Sequence, residues 1–134
     1  LAAHILWMAD EALLPGRFPD LRVASIESGG DWVVPFLEHL EDVYRKMPHA
    51  FDEDPVQAFR RNAYVSPFHE DRLDQLIDAI GADHVLFGSD YPHPEGLAQP
   101  CSYIDHLPPG LPDADVARIM GGNLARIMKV GAPV

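Results

Sequence analysis

"VLFGSDYPHPEG", residues 85–96, runs an apolar segment directly into a serine, an aspartate, a tyrosine and a histidine. Valine, leucine and phenylalanine closed off by glycine and proline read as a short buried strand, so Ser89, Asp90, Tyr91 and His93 collect at its carboxyl end. With His84 included, the strand reads "HVLFGSD" (84–90). Two upstream stretches have the same build. "LRVASIE" (21–27), with Leu21, Val23 and Ile26 to bury, delivers Glu27 and Ser28 into an "SGG" loop. "NAYVSPF" (62–68) delivers Ser66 and then His69 past Pro67.

Helical patterns separate these strands. Val33, Leu37, Leu40, Tyr44 and Met47 recur at the period of one helix face, and Pro48 ends the run. After the acidic connector "FDEDP" a short helical stretch reaches Arg61. Leu73, Leu76, Ile77 and Ile80 predict a helix over 70–80, closed by Gly81. Residues 2–14 are rich in helix formers up to Pro15-Gly16. A Pro-rich loop is expected from Tyr91 to Pro112, and two helical runs fill 113–130, with Asn123 placed as an N-cap. Helix and strand in alternation argue for parallel strands joined by crossover helices. Three strands alone would leave two edges bare, whereas a closed barrel of this alternating type takes about 250 residues. The 134 residues therefore read as a single partial domain over 1–134, the carboxyl-terminal half of such a barrel. The first residue, Leu1 rather than Met, fits that expectation of a missing amino-terminal half.

Composition narrows the partners. A formal net charge of −11, from 21 acidic against 10 basic side chains, repels nucleic-acid phosphates and anionic membranes. No apolar run approaches the roughly 20 residues of a membrane helix, and no signal segment is visible. The single Cys101 has no internal disulfide partner, so a cytoplasmic protein is expected. The partners expected are a small-molecule substrate and, at most, a second copy of the chain in a homodimer.

In parallel α/β folds the site lies at the carboxyl ends of the strands, so the residues delivered there converge on one rim. Asp90 is the leading candidate: a carboxylate in that place can bind a divalent cation or accept a proton from water, and it can equally cap a turn. Glu27 precedes two glycines that permit close approach by a substrate. It either meets a cation, a substrate proton or an arginine, or caps the helix beginning near Trp32. Ser28 and Trp32 are candidate substrate contacts on that loop, with Trp32 also suited to packing. His93, between Pro92 and Pro94, offers an imidazole on a stiff loop for substrate binding, ligation or proton transfer. His69 ranks below it. The remaining histidines show no paired metal spacing, neither "SGG" nor "MGGN" matches a nucleotide fingerprint, and "FDEDP" lacks calcium-loop spacing.

Three separated motifs, "RFPDLRVASIESGGDWVVPFLEHLEDVY", "FGSDYPHPEG" and "IMGGNLARIM", occur in this order. Together they resemble the carboxyl-terminal half of amidohydrolase-related proteins, the metal-dependent barrel group that includes aminocarboxymuconate-semialdehyde and resorcylate decarboxylases. The likeness runs over about residues 10–130. It implies an α/β fold that is the carboxyl-terminal part of a (β/α)8 TIM barrel, with strands six to eight and their helices. It makes Asp90 the metal-binding and catalytic aspartate of the last strand. Glu27 falls where the decarboxylase branch carries a histidine in an "HGG" version of this loop, a departure that puts decarboxylation in doubt and leaves Glu27 a proton carrier or substrate contact.

The resemblance further implies a divalent metal, zinc above others, whose histidine ligands lie upstream of Leu1. By themselves the 134 residues are then expected to bind metal weakly and to be inactive. The activity expected of the whole is metal-dependent hydrolysis of a small organic substrate. The alternatives are decarboxylation within the same family, or a non-catalytic α/β fragment that acts by association.

Overall fold

The computed structural model describes residues 20–130, in which short parallel strands are backed by helices. The helix expected over 2–14 lies outside the described residues. β1 (Val23–Ser25) and β2 (Ala63–Val65) pair in parallel, with Val23 opposite Ala63 and Ser25 opposite Val65. The chain between them forms α1 (Val33–Lys46), a 3-10 turn at Pro48–Ala50 and α2 (Pro55–Asn62), the crossover that parallel strands require. From β2 the chain passes through α3 (Leu73–Ile80) to a third segment, attached by one parallel bridge between Val65 and Val85.

That third segment corrects the strand expected over 84–90. The Leu86 N–H donates to the Val65 carbonyl at 2.8 Å, but the Phe87 N–H turns to the Ile119 carbonyl at 3.1 Å. His84 belongs to a 3-10 turn, Ala82–His84. Strand propensity in Val-Leu-Phe is thus overridden once a tertiary acceptor takes the next amide. β1 needs a correction too. Leu21 and Ile26, expected to be buried, are 39% and 53% exposed. Among the described residues β1 is paired on one side only, whereas all three residues of β2 are buried between its neighbours.

The helices follow their sequence signals closely. α1 buries Val33, Phe36, Leu37 and Leu40 on one face, and Arg45 and Lys46 in its last turn suit the negative end of the helix dipole. Phe36, outside the predicted stripe, packs on Trp32 at 5.8 Å and Phe59 at 5.5 Å. Met47, inside the predicted stripe, is the residue after the helix and 48% exposed. α2 starts where Asp54 accepts from the Val56 N–H at 2.9 Å, with Pro55 in the first turn. α3 begins at Leu73 rather than at residue 70, buries Leu73, Leu76 and Ile80 and packs against α1.

The Pro-rich connection is not the structureless loop expected. A 3-10 helix, Pro100–His106, buries Tyr103 completely, and Leu107 follows it into the core. The two helical runs after it are α4 (Asp113–Ala117) and α5 (Asn123–Met128), joined by a π turn at Arg118–Gly122. Asn123 does not cap. It is 1% exposed and its amide donates to the Ala82 and Val85 carbonyls, both at 2.8 Å, fastening α5 to the start of the third segment. Among the described residues no helix is long and apolar enough to cross a membrane.

Candidate active site

Past the ends of the parallel segments the chain turns sharply, and two of the turning residues are acids. Glu27 has φ 56° and Asp90 has φ 55°, both in the left-handed region that side chains other than glycine's rarely occupy. Each such residue costs about 1–2 kcal/mol relative to the right-handed form, so the surrounding structure must hold it there. The two acids line one cleft of about 240 Å3, together with Ser66, Phe68, Tyr91 and His93. Residues from all three segment ends therefore meet, as the rim reading expected. Among the described residues neither acid's carboxylate accepts a hydrogen bond or forms an ion pair, so their acceptor capacity faces the cleft unspent.

Asp90 is held by the turn that follows it. The His93 N–H donates to the Asp90 carbonyl at 2.9 Å, the Gly96 N–H to the His93 carbonyl at 3.0 Å, and the Leu97 N–H to the Ser89 carbonyl at 2.8 Å. Gly96 sits so close that a Cβ there would stand 2.4 Å from the Asp90 carbonyl oxygen. This fold-back brings the ligand atoms of Asp90, His93 and Glu95 within 4.8 Å of one another. Two carboxylates and an imidazole are donors that suit zinc, manganese or magnesium, so these residues fit part of a divalent-cation site. Glu95 went unnoticed in the sequence, where its i, i+5 separation from Asp90 follows no helical or strand period.

The other predicted positions lie outside the cleft. The Ser28 hydroxyl donates to the Ile26 carbonyl at 3.3 Å. The Trp32 indole N–H donates to the Gly29 carbonyl at 2.9 Å while its ring packs on Phe36 and Phe59, which braces the loop that carries Glu27. His69 sits edge-on to His106, ring centres 4.9 Å apart, and 3.5 Å from the Glu70 carboxylate. Beneath the rim, the Tyr103 hydroxyl donates to the Pro67 carbonyl at 3.3 Å and the ring meets Phe87 edge-on. Burial, with the negative charge of Asp71 nearby, pushes the Tyr103 pKa well above the usual phenol value.

Comparison with known proteins gives this geometry a context. The family model described as Amidohydrolase matches residues 2–129. A crystal structure of an amidohydrolase from Mycobacterium avium subsp. paratuberculosis K-10 superposes with a TM-score of 0.85 at 37% identity, covering 90% of this chain and 32% of that one. A 5-carboxyvanillate decarboxylase from Sphingomonas paucimobilis gives a TM-score of 0.70 at 25% identity, covering 88% and 36%. A dihydroxybenzoic acid decarboxylase from Polaromonas sp. JS666, solved with manganese and the inhibitor 2-nitroresorcinol, shares the fold at a TM-score of 0.58 and 22% identity, covering 87% and 36%. The chain thus spans about a third of the length of the solved structures it matches.

Proposed function

The chain belongs to the amidohydrolase family, and on that premise we propose that it forms the carboxyl-terminal strands, six to eight, of a metal-dependent hydrolase barrel acting on a small organic substrate. One observation carries the reading: Glu27 and Asp90, each in a left-handed turn past the end of a parallel segment, line the same cleft with unspent carboxylates.

In this reading Asp90 holds a divalent cation, zinc by preference, with His93 and Glu95 beside it and the remaining ligands supplied by polypeptide outside these 134 residues. The chemistry such a cation supplies when bound is Lewis acidity, which brings the pKa of water from roughly 15.7 towards about 7. Asp90 takes the proton released on attack at a carboxylate oxygen. Glu27, which lines the same cleft, delivers a proton to the leaving group, and the exposed His93 imidazole orients the substrate. Ser28 and Trp32 serve by holding Glu27's loop. The 134 residues act as one partial domain, in the cytoplasm, as a monomer or homodimer without nucleic-acid or membrane partners.

Decarboxylation is the second reading, favoured by the 25% identity to the 5-carboxyvanillate decarboxylase. The test uses the polypeptide encoded by the reading frame that holds these residues, loaded with zinc or manganese. It is offered small carboxylated and cyclic esters, amides and lactones, and aromatic acids. Hydrolysis that disappears in Asp90→Asn supports the proposal. Carbon dioxide release without hydrolysis transfers it to the second reading, and turnover untouched by Asp90→Asn overturns both.

A further inference from the structure

The loop that bears Glu27 is fastened by an acid that does not itself enter the cleft. Asp71 lies in the turn between β2 and α3, and a single oxygen of its carboxylate accepts the Gly30 N–H at 2.6 Å and the Phe68 N–H at 2.8 Å. Gly30 follows Glu27 by three residues, and Phe68 is itself a wall of the cleft. The contact between the two loops leaves almost no slack. A Cβ at Gly29 would stand 3.1 Å from the Phe68 ring and 3.2 Å from the same Asp71 oxygen, and one at Gly30 would stand 2.9 Å from Leu76. Two glycines are thus what allows the backbone to reach the carboxylate. A second, weaker tie runs the other way, with the Arg72 N–H donating to Asp31 at 3.2 Å.

Resting on the function proposed above, we propose that Asp71 is a positioning residue of the active site, its charge used to lock the Glu27 loop onto the Phe68 wall rather than to react. Hydrogen bonds to an ionised acceptor are about twice as strong as neutral ones, and this acceptor serves two loops that are 38 residues apart at Gly30 and Phe68. Loss of the carboxylate frees Gly30 and lets Glu27 drift relative to Asp90.

The experiment compares wild type, Asp71→Asn and Asp71→Ala in the polypeptide encoded by the whole reading frame, labelled with 15N-glycine and 13C-phenylalanine. Asparagine keeps an oxygen for both amides but loses the charge; alanine loses both. The expected order in Gly30 amide protection and in Gly29-to-Phe68 NOE intensity is wild type, Asp71→Asn, Asp71→Ala. kcat follows the same order, down roughly ten- to a hundredfold in alanine, with KM less affected. Unchanged Gly30 protection in Asp71→Ala overturns the proposal, as does lost protection with kcat intact. If alanine prevents folding, wild type against Asp71→Asn decides by the same two readouts. If the wild type turns over nothing, the hydrolase reading falls, and the amide and NOE measurements alone decide whether Asp71 fixes the Glu27 loop.

Discussion

At the amino-terminal end of the parallel segments, buried side chains are used up in fastening backbone; at the carboxyl-terminal end, two carboxylates fasten nothing. Asn62 donates to the carbonyl of Leu21 just ahead of β1, and Asn123 donates to Ala82 and Val85 at the start of the third segment. Arg126 adds a bond to the Asp83 carbonyl at 2.7 Å. The His84 Nδ1 lies 2.8 Å from the Ala63 carbonyl, which only accepts, so that nitrogen carries the proton. At the other end Glu27 and Asp90 sit in strained turns and keep their acceptors open to a cleft. One end is fastened for stability and the other is the one proposed for chemistry, the division that barrel folds show. It can be broken by finding activity at the first end or stability at the second.

The largest effect is expected from Asp90→Asn. Asparagine tolerates the left-handed turn as well as aspartate does, so the fold should survive. Removing the acid proposed to hold a cation and move a proton should lower kcat/KM by about 10²–10⁴-fold. Steady-state kinetics beside a urea melt check both halves, and a destabilised but active variant would reverse the assignment of the rim.

Asn123→Ala is the counterpart at the stitched end. It removes the amide that bonds the Ala82 and Val85 carbonyls, of which Ala82 keeps only the longer bond from the Val85 N–H at 3.4 Å, and this should cost about 2–4 kcal/mol of stability. Activity per folded molecule should stay within twofold of wild type, read by equilibrium unfolding together with active-site titration. A kinetic defect larger than the fraction unfolded would carry chemistry to the wrong end of the segments.

Gly96→Ala sharpens the comparison from within the rim. The added methyl must displace the Asp90 peptide, because its carbonyl oxygen lies 2.4 Å from the ideal Cβ position. A misplacement near 1 Å should reduce kcat by up to about 10²-fold. Weaker titration by manganese should accompany it, monitored by paramagnetic broadening of His93.

How much of this was legible beforehand depends on the range of the interactions involved. That Asp90, Glu27 and His93 line one cleft could be read, because an apolar run followed by polar residues marks a strand end, and strand ends of parallel segments converge. α1, α2 and α3 could be read from local periods, caps and prolines. Asp71 and Asn123 could not, because Gly30, on the loop that Asp71 fastens, and Ala82 and Val85, which Asn123 binds, lie about 40 residues away, pairings that no spacing rule encodes. The same limit explains the third segment: Val85, Leu86 and Phe87 look like strand until Ile119, far along the chain, takes the Phe87 amide.

Tyr103 tests the junction beneath the rim, and its effect at neutral pH is the smallest. Tyr103→Phe removes one hydrogen bond to the Pro67 carbonyl and leaves the ring in place against Phe87, so about 1 kcal/mol should be lost at pH 7. The alkaline limb is more telling. Burial and the neighbouring Asp71 raise the phenol pKa in the folded state, so between the unfolded value near 10 and the folded one the unfolded chain has shed a proton that the native chain keeps. Stability from this group is therefore complete below about pH 10 and falls as pH rises beyond it, by up to about 1.4 kcal/mol per pH unit. Tyr103→Phe should show a shallower decline above pH 10 in urea melts. Equal slopes in the two proteins would mean that Tyr103 ionises in the fold as it does in water, and that the loop carrying Ser66 and Phe68 is not pinned from below.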